Sequence, residues 1–306
     1  MHQVPGEIIM VTQDGIKQII KNTMKRNITD QELFNAIKNS IQNKTPLSYI
    51  RIGDGEIQIL KKPEHCHTQS EINTRHLSLV HICKRYNVEF TEDCKFIKDF
   101  RELLVHTFNT SDYCGLFTAE EISELTIKGM NLRPERYVPN KEMLNHYNID
   151  SSKLKICSVM FNKGIELGII SNFKKLIGDQ RITMITSQTE NLKANKKFQE
   201  VFGDSVDFIT IKHEHGNPNA KALYQHDWVR GQFKDIKNHV IIFGMGGAAK
   251  NLCNELKNDW GKCVIDMGSV IDAWAGIISR PSYGNVWSQC LTVPVNEAPT
   301  TDICYK

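Results

Sequence analysis

The chain lacks most of the features that would place it in a specialised class. It has no run of about 18 apolar residues, which excludes a membrane-spanning helix. Its first residues, Met1 to Glu7, do not have the layered make-up of a secretory signal. It has no internal repeat, no low-complexity stretch and no Cys-x-x-Cys pair. Its nine cysteines are odd in number and scattered, and several sit in apolar runs, which argues for a reducing compartment over a disulfide framework. A strong charge excess is also missing: 38 basic against 35 acidic side chains leave +3, no case for a nucleic-acid partner. These absences together lead to the expectation of a cytoplasmic protein. One segment qualifies it. In residues 16–26, Ile16, Ile19, Ile20 and Met24 recur at helical spacing among Lys17, Lys21, Lys25 and Arg26. Such a stretch suits either an ordinary surface helix or peripheral contact with an anionic membrane.

What is present is an ordinary globular composition. The 306 residues are 40% hydrophobic and 24% charged, enough to bury a sizeable core. Short β-branched runs alternate with helical patterns, which predicts an α/β fold with a mostly parallel, Rossmann-like sheet flanked by helices. Strands are expected at Leu47–Ile52, Asp112–Phe117, Lys155–Met160, Ile182–Thr186, Val206–Ile211, Val240–Phe243 and Cys263–Met267. Thr29 and Glu32 have capping-box spacing, and Leu33, Ile37 and Ile41 mark one face of the helix they open. Ser187 and Glu190 repeat that spacing after the fourth strand. The expected organisation is an N-terminal helical segment (1–46), an α/β domain (47–280) with a variable insert near 60–150, and a C-terminal tail (281–306).

Two constellations carry chemistry. The first, Arg51-Ile52-Gly53-Asp54-Gly55-Glu56, follows the first strand. Carboxylates two apart on an extended backbone point to one side, and Gly53 and Gly55 allow another group to come close. Hard oxygen ligands at a strand end suit Mg²⁺ or Mn²⁺, which keep positions open for substrate phosphates. Asp54 and Glu56 are the candidate metal ligands and catalytic carboxylates. Arg51 either meets a phosphate or pairs with an acid. The plain alternative is an acidic surface turn, because Asp-Gly is a common turn pair.

The second constellation is a strand that ends at Gly244, a turn through Gly246, Gly247, Ala248 and Ala249, a helix that opens with Lys250, and a strand that ends at Asp266. Free backbone N–H groups at a helix start make an anion site, and Lys250 adds a charge. Gly244, Gly246 and Ala249 also satisfy G-x-G-x-x-A, with Asp266 about 20 residues on, where a ribose-binding acid is expected. An NAD(P)-dependent oxidoreductase is therefore a rival reading. A third is that small residues merely permit tight helix–strand packing.

The early R-x-G-D-G-E, the late glycine turn with Lys250, and Ile265-Asp266-Met267-Gly268 together resemble the GT-D type of bacterial glycosyltransferases, first known as a domain of unknown function. The resemblance spans roughly residues 47–276 and is specific only in short islands. It implies a variant Rossmann-type sheet, a D-x-E motif that binds a UDP-sugar through a divalent metal, and a glycan or glycoconjugate acceptor. By position, Asp54 and Glu56 match the D-x-E carboxylates. Gly244, Ala248, Ala249 and Lys250 match the family's glycine turn, and Asp266 and Gly268 its I-D-I-G element. Asn219-Ala220 matches an Asn-Ala pair that precedes the last strands. Ser269 to Trp274 departs from the family's His- and Glu-bearing segment and leaves the base open; Asp272 is either the base that serves the acceptor or the cap of a local turn. The altered segment also admits a non-catalytic nucleotide-binding protein.

Weaker signals complete the list. His65-Cys66-His67 and His213-Glu214-His215 each bring two histidines, which do not complete a zinc site by themselves. Trp228 in His226-Asp227-Trp228 is either a stacking platform or a buried aromatic.

Overall fold

The computed structural model describes residues 24–85, 88–118, 121–122, 138–139, 141–158, 169–211, 226–247 and 250–277. The strands are β1 (Leu47–Arg51), β2 (Tyr113–Leu116), β3 (Ile156–Ser158), β4 (Ile182–Thr186), β5 (Val206–Thr210), β6 (Val240–Gly244) and β7 (Cys263–Asp266). They form one sheet in the order β3-β2-β1-β7-β6-β4-β5, and every pairing is parallel. All seven strands fall where the sequence predicts them.

The helices are α1 (Asp30–Asn43), α2 (Asp54–Leu60), α3 (Gln69–Arg85), α4 (Lys95–Thr110), α5 (Lys141–His146), α6 (Ile170–Ile177), α7 (Thr189–Ala194), α8 (Lys196–Phe202), α9 (His226–Phe233), α10 (Lys250–Trp260) and α11 (Val270–Trp274). Their placement follows from chain handedness. A parallel crossover is right-handed, so its direction along the sheet fixes the face its helix covers. Connections that step toward β3 carry α2, α3, α4, α5, α9 and α10, whose apolar residues share one core with Ile50, Phe243 and Val264. Those that step toward β5 carry α6, α7 and α8, which share the opposite core with Tyr49, Ile242 and Ile265. The alternation along β1, β6 and β7 is the period of two expected of an extended chain. Both faces are covered, as parallel sheets require.

The N-terminal cap of α1 is as expected. The Thr29 N–H donates to Glu32 Oε2 at 2.7 Å, and the Glu32 N–H donates back to Thr29 Oγ1 at 3.2 Å. Leu33, Ile37 and Ile41 are buried on the second core, worth about 1.5–3 kcal/mol each in transfer terms. The cap of α7 differs from expectation. Gln188 occupies the N-cap position with no side-chain capping bond, and its own N–H is taken by Thr186 Oγ1 at 3.1 Å. Ser187 therefore does not open that helix.

Among the described residues no helix is long and apolar enough to cross a membrane. Cys66, Cys83, Cys94, Cys114, Cys157, Cys253 and Cys263 are free thiols. Residues 16–23, His213 to His215, Asn219 and the 281–306 tail lie outside the described residues, as do Ala248 and Ala249. The backbone of His226 to Trp228 opens α9.

Candidate active site at the carboxyl edge of the sheet

In open α/β sheets ligands bind beyond the carboxyl ends of the strands, where the strand order turns. Both predicted constellations emerge at that edge, from the neighbouring strands β1, β7 and β6.

The first constellation differs from expectation in its geometry. Asp54 and Glu56 do not lie on an extended backbone. Gly53 is the N-cap of α2, and the two acids occupy positions N1 and N3 of its first turn. At about 100° per residue they leave the helix on different sides. Glu56 folds back, and its Oε2 accepts the Gly53 N–H at 3.0 Å. That satisfies one of the helix's orphan donors and places a carboxylate at its positive end. Asp54 stays part-exposed at the lip.

The second constellation supplies the countercharge. Lys250, the first residue of α10, is buried and donates through Nζ to Asp266 Oδ2 at 2.8 Å. It also lies 3.6 Å from Glu56 Oε1. Side-chain exposure is 7% for Lys250, 7% for Asp266 and 14% for Glu56, so solvent screens the cluster little. Burial alone would pull the Lys250 ammonium down. The carboxylates of Asp266 and Glu56 outweigh it and hold its pKa above the ordinary lysine value. Lys250 is therefore a structural cation between two acids, not a charge held out to solvent.

Asp266 is further tied to β1, since its Oδ2 accepts the Arg51 N–H at 3.2 Å. The Arg51 side chain reaches over the next turn and donates through Nη1 to Met267 O at 3.4 Å. It lies across Gly268, whose φ is +51° and where an added Cβ would sit 2.6 Å from Nη1.

The glycines of the 244–247 turn have separate jobs. A Cβ on Gly244 would meet Ile271 Cδ1 at 2.5 Å, so that glycine admits α11. Gly246 has φ of +74°, a value that disfavours side chains. A Cβ on Gly247 would meet Phe100 Cζ at 2.7 Å and Glu56 Oε1 at 2.8 Å. The turn thus packs directly against a carboxylate. Gly55 has only ordinary contact, with Ile82 at 3.7 Å.

Asp272 stands on α11, on the other side of the sheet edge, where Oδ1 accepts from Gln188 Nε2 at 3.1 Å. The structure therefore brings Arg51, Gly53, Glu56, Gly247, Lys250 and Asp266 into one cluster, with Asp54 at its lip. Asp272 is not in that cluster and pairs with Gln188 instead. One contributor to the site, and one carboxyl outside it, were missed from sequence. Gln188 orients Asp272, and no motif marks it. Glu121 lies beyond β2, where Oε2 accepts the Thr118 N–H at 3.1 Å. Burial pushes its carboxyl up to about 7, against the hydrogen bonds from Ser158 and Thr118 that lower it. The Thr118-x-x-Glu121 capping spacing was legible; the burial was not.

The GT-D fold-like domain family matches residues 28–274. No curated protein matches the chain. A solved structure of domain of unknown function 1792, described as having a distinct glycosyltransferase fold, superposes over 95% of this chain and 91% of its own, at 15% identity and a TM-score of 0.51. A selenomethionine form of that domain gives the same coverage, at 13% identity and a TM-score of 0.50. A third structure, described as a new glycosyltransferase from Streptococcus sanguinis, is 17% identical over 78% of this chain and 80% of its own, with a TM-score of 0.45.

Proposed function

The chain belongs to the GT-D fold-like family, and from that premise we propose that it is a glycosyltransferase that moves a sugar from a nucleotide-sugar donor, a UDP-sugar, to a glycan or glycoconjugate. The observation that carries this reading is the Glu56–Lys250–Asp266 cluster where β1, β7 and β6 end. The fold brings two glycine turns and a carboxylate together there.

That carboxylate decides the chemistry. A bare diphosphate at the 244–247 turn would meet Glu56 and be repelled. A divalent cation would reconcile the two: Asp54 and Glu56 are hard oxygen ligands suited to Mn²⁺ or Mg²⁺, with Asp54 part-exposed and Glu56 Oε1 against the Gly247 backbone. When bound, the ion stabilises negative charge on the departing diphosphate. Because Lys250 already neutralises part of Glu56, Asp54 is the principal ligand. Lys250 holds Glu56 and Asp266 in register, and Asp266 fixes the backbone of Arg51. The Arg51 guanidinium lies where the donor phosphates approach. Asp272, oriented by Gln188, takes the proton from the acceptor hydroxyl.

The dehydrogenase reading fits less well. A ribose-binding acid must be open to a diol, yet Asp266 is buried against Lys250 and the Arg51 N–H. Gly244 makes room for Ile271 rather than for a pyrophosphate.

The test is UDP release from a panel of UDP-sugars with Mn²⁺ and with a chelator. Metal-dependent release, reduced by about 100-fold or more in Asp54→Ala, is the expected result. Mn²⁺-dependent UDP binding with no release from any sugar would instead make the chain a non-catalytic nucleotide-binding protein.

A further inference from the structure

Imidazoles and carboxylates also gather at the opposite end of α2, away from the crevice. Pro63–His65 forms a single 3-10 turn after α2. Facing it, α5 places Glu142 and His146 one helical turn apart and so on one side. Across the gap, ligand atoms of Glu64, His65 and His146 all lie within 4.8 Å of one another. The rings of His65 and His146 meet edge to face with centroids 4.8 Å apart. A second pair flanks them, with His67 Nε2 at 3.8 Å from Glu142 Oε2. His65 is buried, while Glu64 and His146 are exposed. One ligand is thus fixed by packing, and the other two are reachable from solvent.

Two imidazole nitrogens and a carboxylate oxygen at this spacing are a donor set for a borderline ion of the Zn²⁺ class, and leave a fourth position to water. We propose that Glu64, His65 and His146 form a second metal site, separate from the crevice, that takes Zn²⁺ and ties α5 to the turn after α2. The Lys62 N–H donates to His65 Nδ1 at 3.1 Å and sets the ring's orientation. An ion on this ring competes with that bond, so the affinity is micromolar rather than that of a closed structural site. The site's role is positional. The same end of α2 is already held by Arg101 Nε on Ile59 O at 2.9 Å and by Tyr147 Oη on Leu60 O at 2.8 Å. An ion here adds a third tie to the helix that carries Asp54 and Glu56.

The experiment titrates the full chain with Zn²⁺ against a chromophoric chelator, and with Co²⁺ read by its visible absorption. One Zn²⁺ should bind with micromolar affinity in the native chain and equally in Asp54→Ala, which removes the crevice's principal ligand. His146→Ala should weaken it by about 10-fold or more, with loss of the Co²⁺ bands. Glu64→Gln preserves side-chain shape and serves as the second variant if the first alters the circular dichroism. Binding that is unchanged in both variants, binding lost only in Asp54→Ala, or the absence of binding below millimolar Zn²⁺ each overturns the proposal.

Discussion

The turns from β1 into α2 and from β6 into α10 are built alike and charged oppositely. Each is a strand, a glycine and the start of a helix, and the two flank β7. The first turn contributes carboxylates to its helix start, where the positive helix end favours them. The second places an ammonium at the start of α10, where the same argument disfavours it. The sequence of the second turn is intelligible only beside the first. Lys250 is held there because Glu56 and Asp266 surround it, and each turn satisfies the charge that the other buries. A local reading of either motif suggests an open ligand site; the pair forms a closed ionic cluster with Asp54 at its lip.

The harshest way to break the comparison is Lys250→Met, which takes the countercharge from two buried carboxylates. It should cost about 3–5 kcal/mol, measured by urea unfolding. Combining it with Glu56→Gln sharpens the point, since the double variant should be less destabilised than the sum of the singles. Gly247→Ala forces a methyl between Phe100 and Glu56 and should cost about 1–3 kcal/mol. Its midpoint loss should shrink when Phe100→Leu is added. Asp54→Ala, at the lip, should change stability by no more than about 0.5 kcal/mol while abolishing metal-dependent donor binding.

A control lies outside both turns. The Glu121 carboxyl, pushed up from 4.5 to about 7 chiefly by burial, favours its protonated form in the fold. Its contribution to stability is fully present below pH 4.5 and is lost as pH rises through about 7. Glu121→Gln should flatten that part of the stability–pH curve. An unchanged curve would remove Glu121 as its cause.

Much of the fold was legible because its signals are local. Strands such as Ile182–Thr186 are runs of β-branched residues buried on both faces, and the Thr29–Glu32 cap is a contact three residues apart. The site was legible in its membership but not in its wiring. Asp54-Gly-Glu56 reads as an extended pair because it directly follows a strand, yet Gly53 caps a helix and the chain turns one residue earlier. Lys250 reads as a phosphate ligand because the two acids that claim it lie 194 and 16 residues away in sequence (250 minus 56, 266 minus 250). Gln188 carries no motif at all, and its role exists only through Asp272. Pairings set by tertiary approach have no sequence period to betray them.

The central claim is that the carboxylate-lined crevice accepts a nucleotide diphosphate only together with a divalent cation. The direct measurement is the thermal midpoint of the native chain and of Asp54→Ala with UDP, GDP, NAD and NADP, each with and without Mn²⁺. A ligand that binds only the folded state raises the midpoint. The account predicts stabilisation by UDP that requires Mn²⁺ and disappears in Asp54→Ala. Metal-independent stabilisation by NAD or NADP, retained in Asp54→Ala and lost in Gly246→Ala, would contradict it.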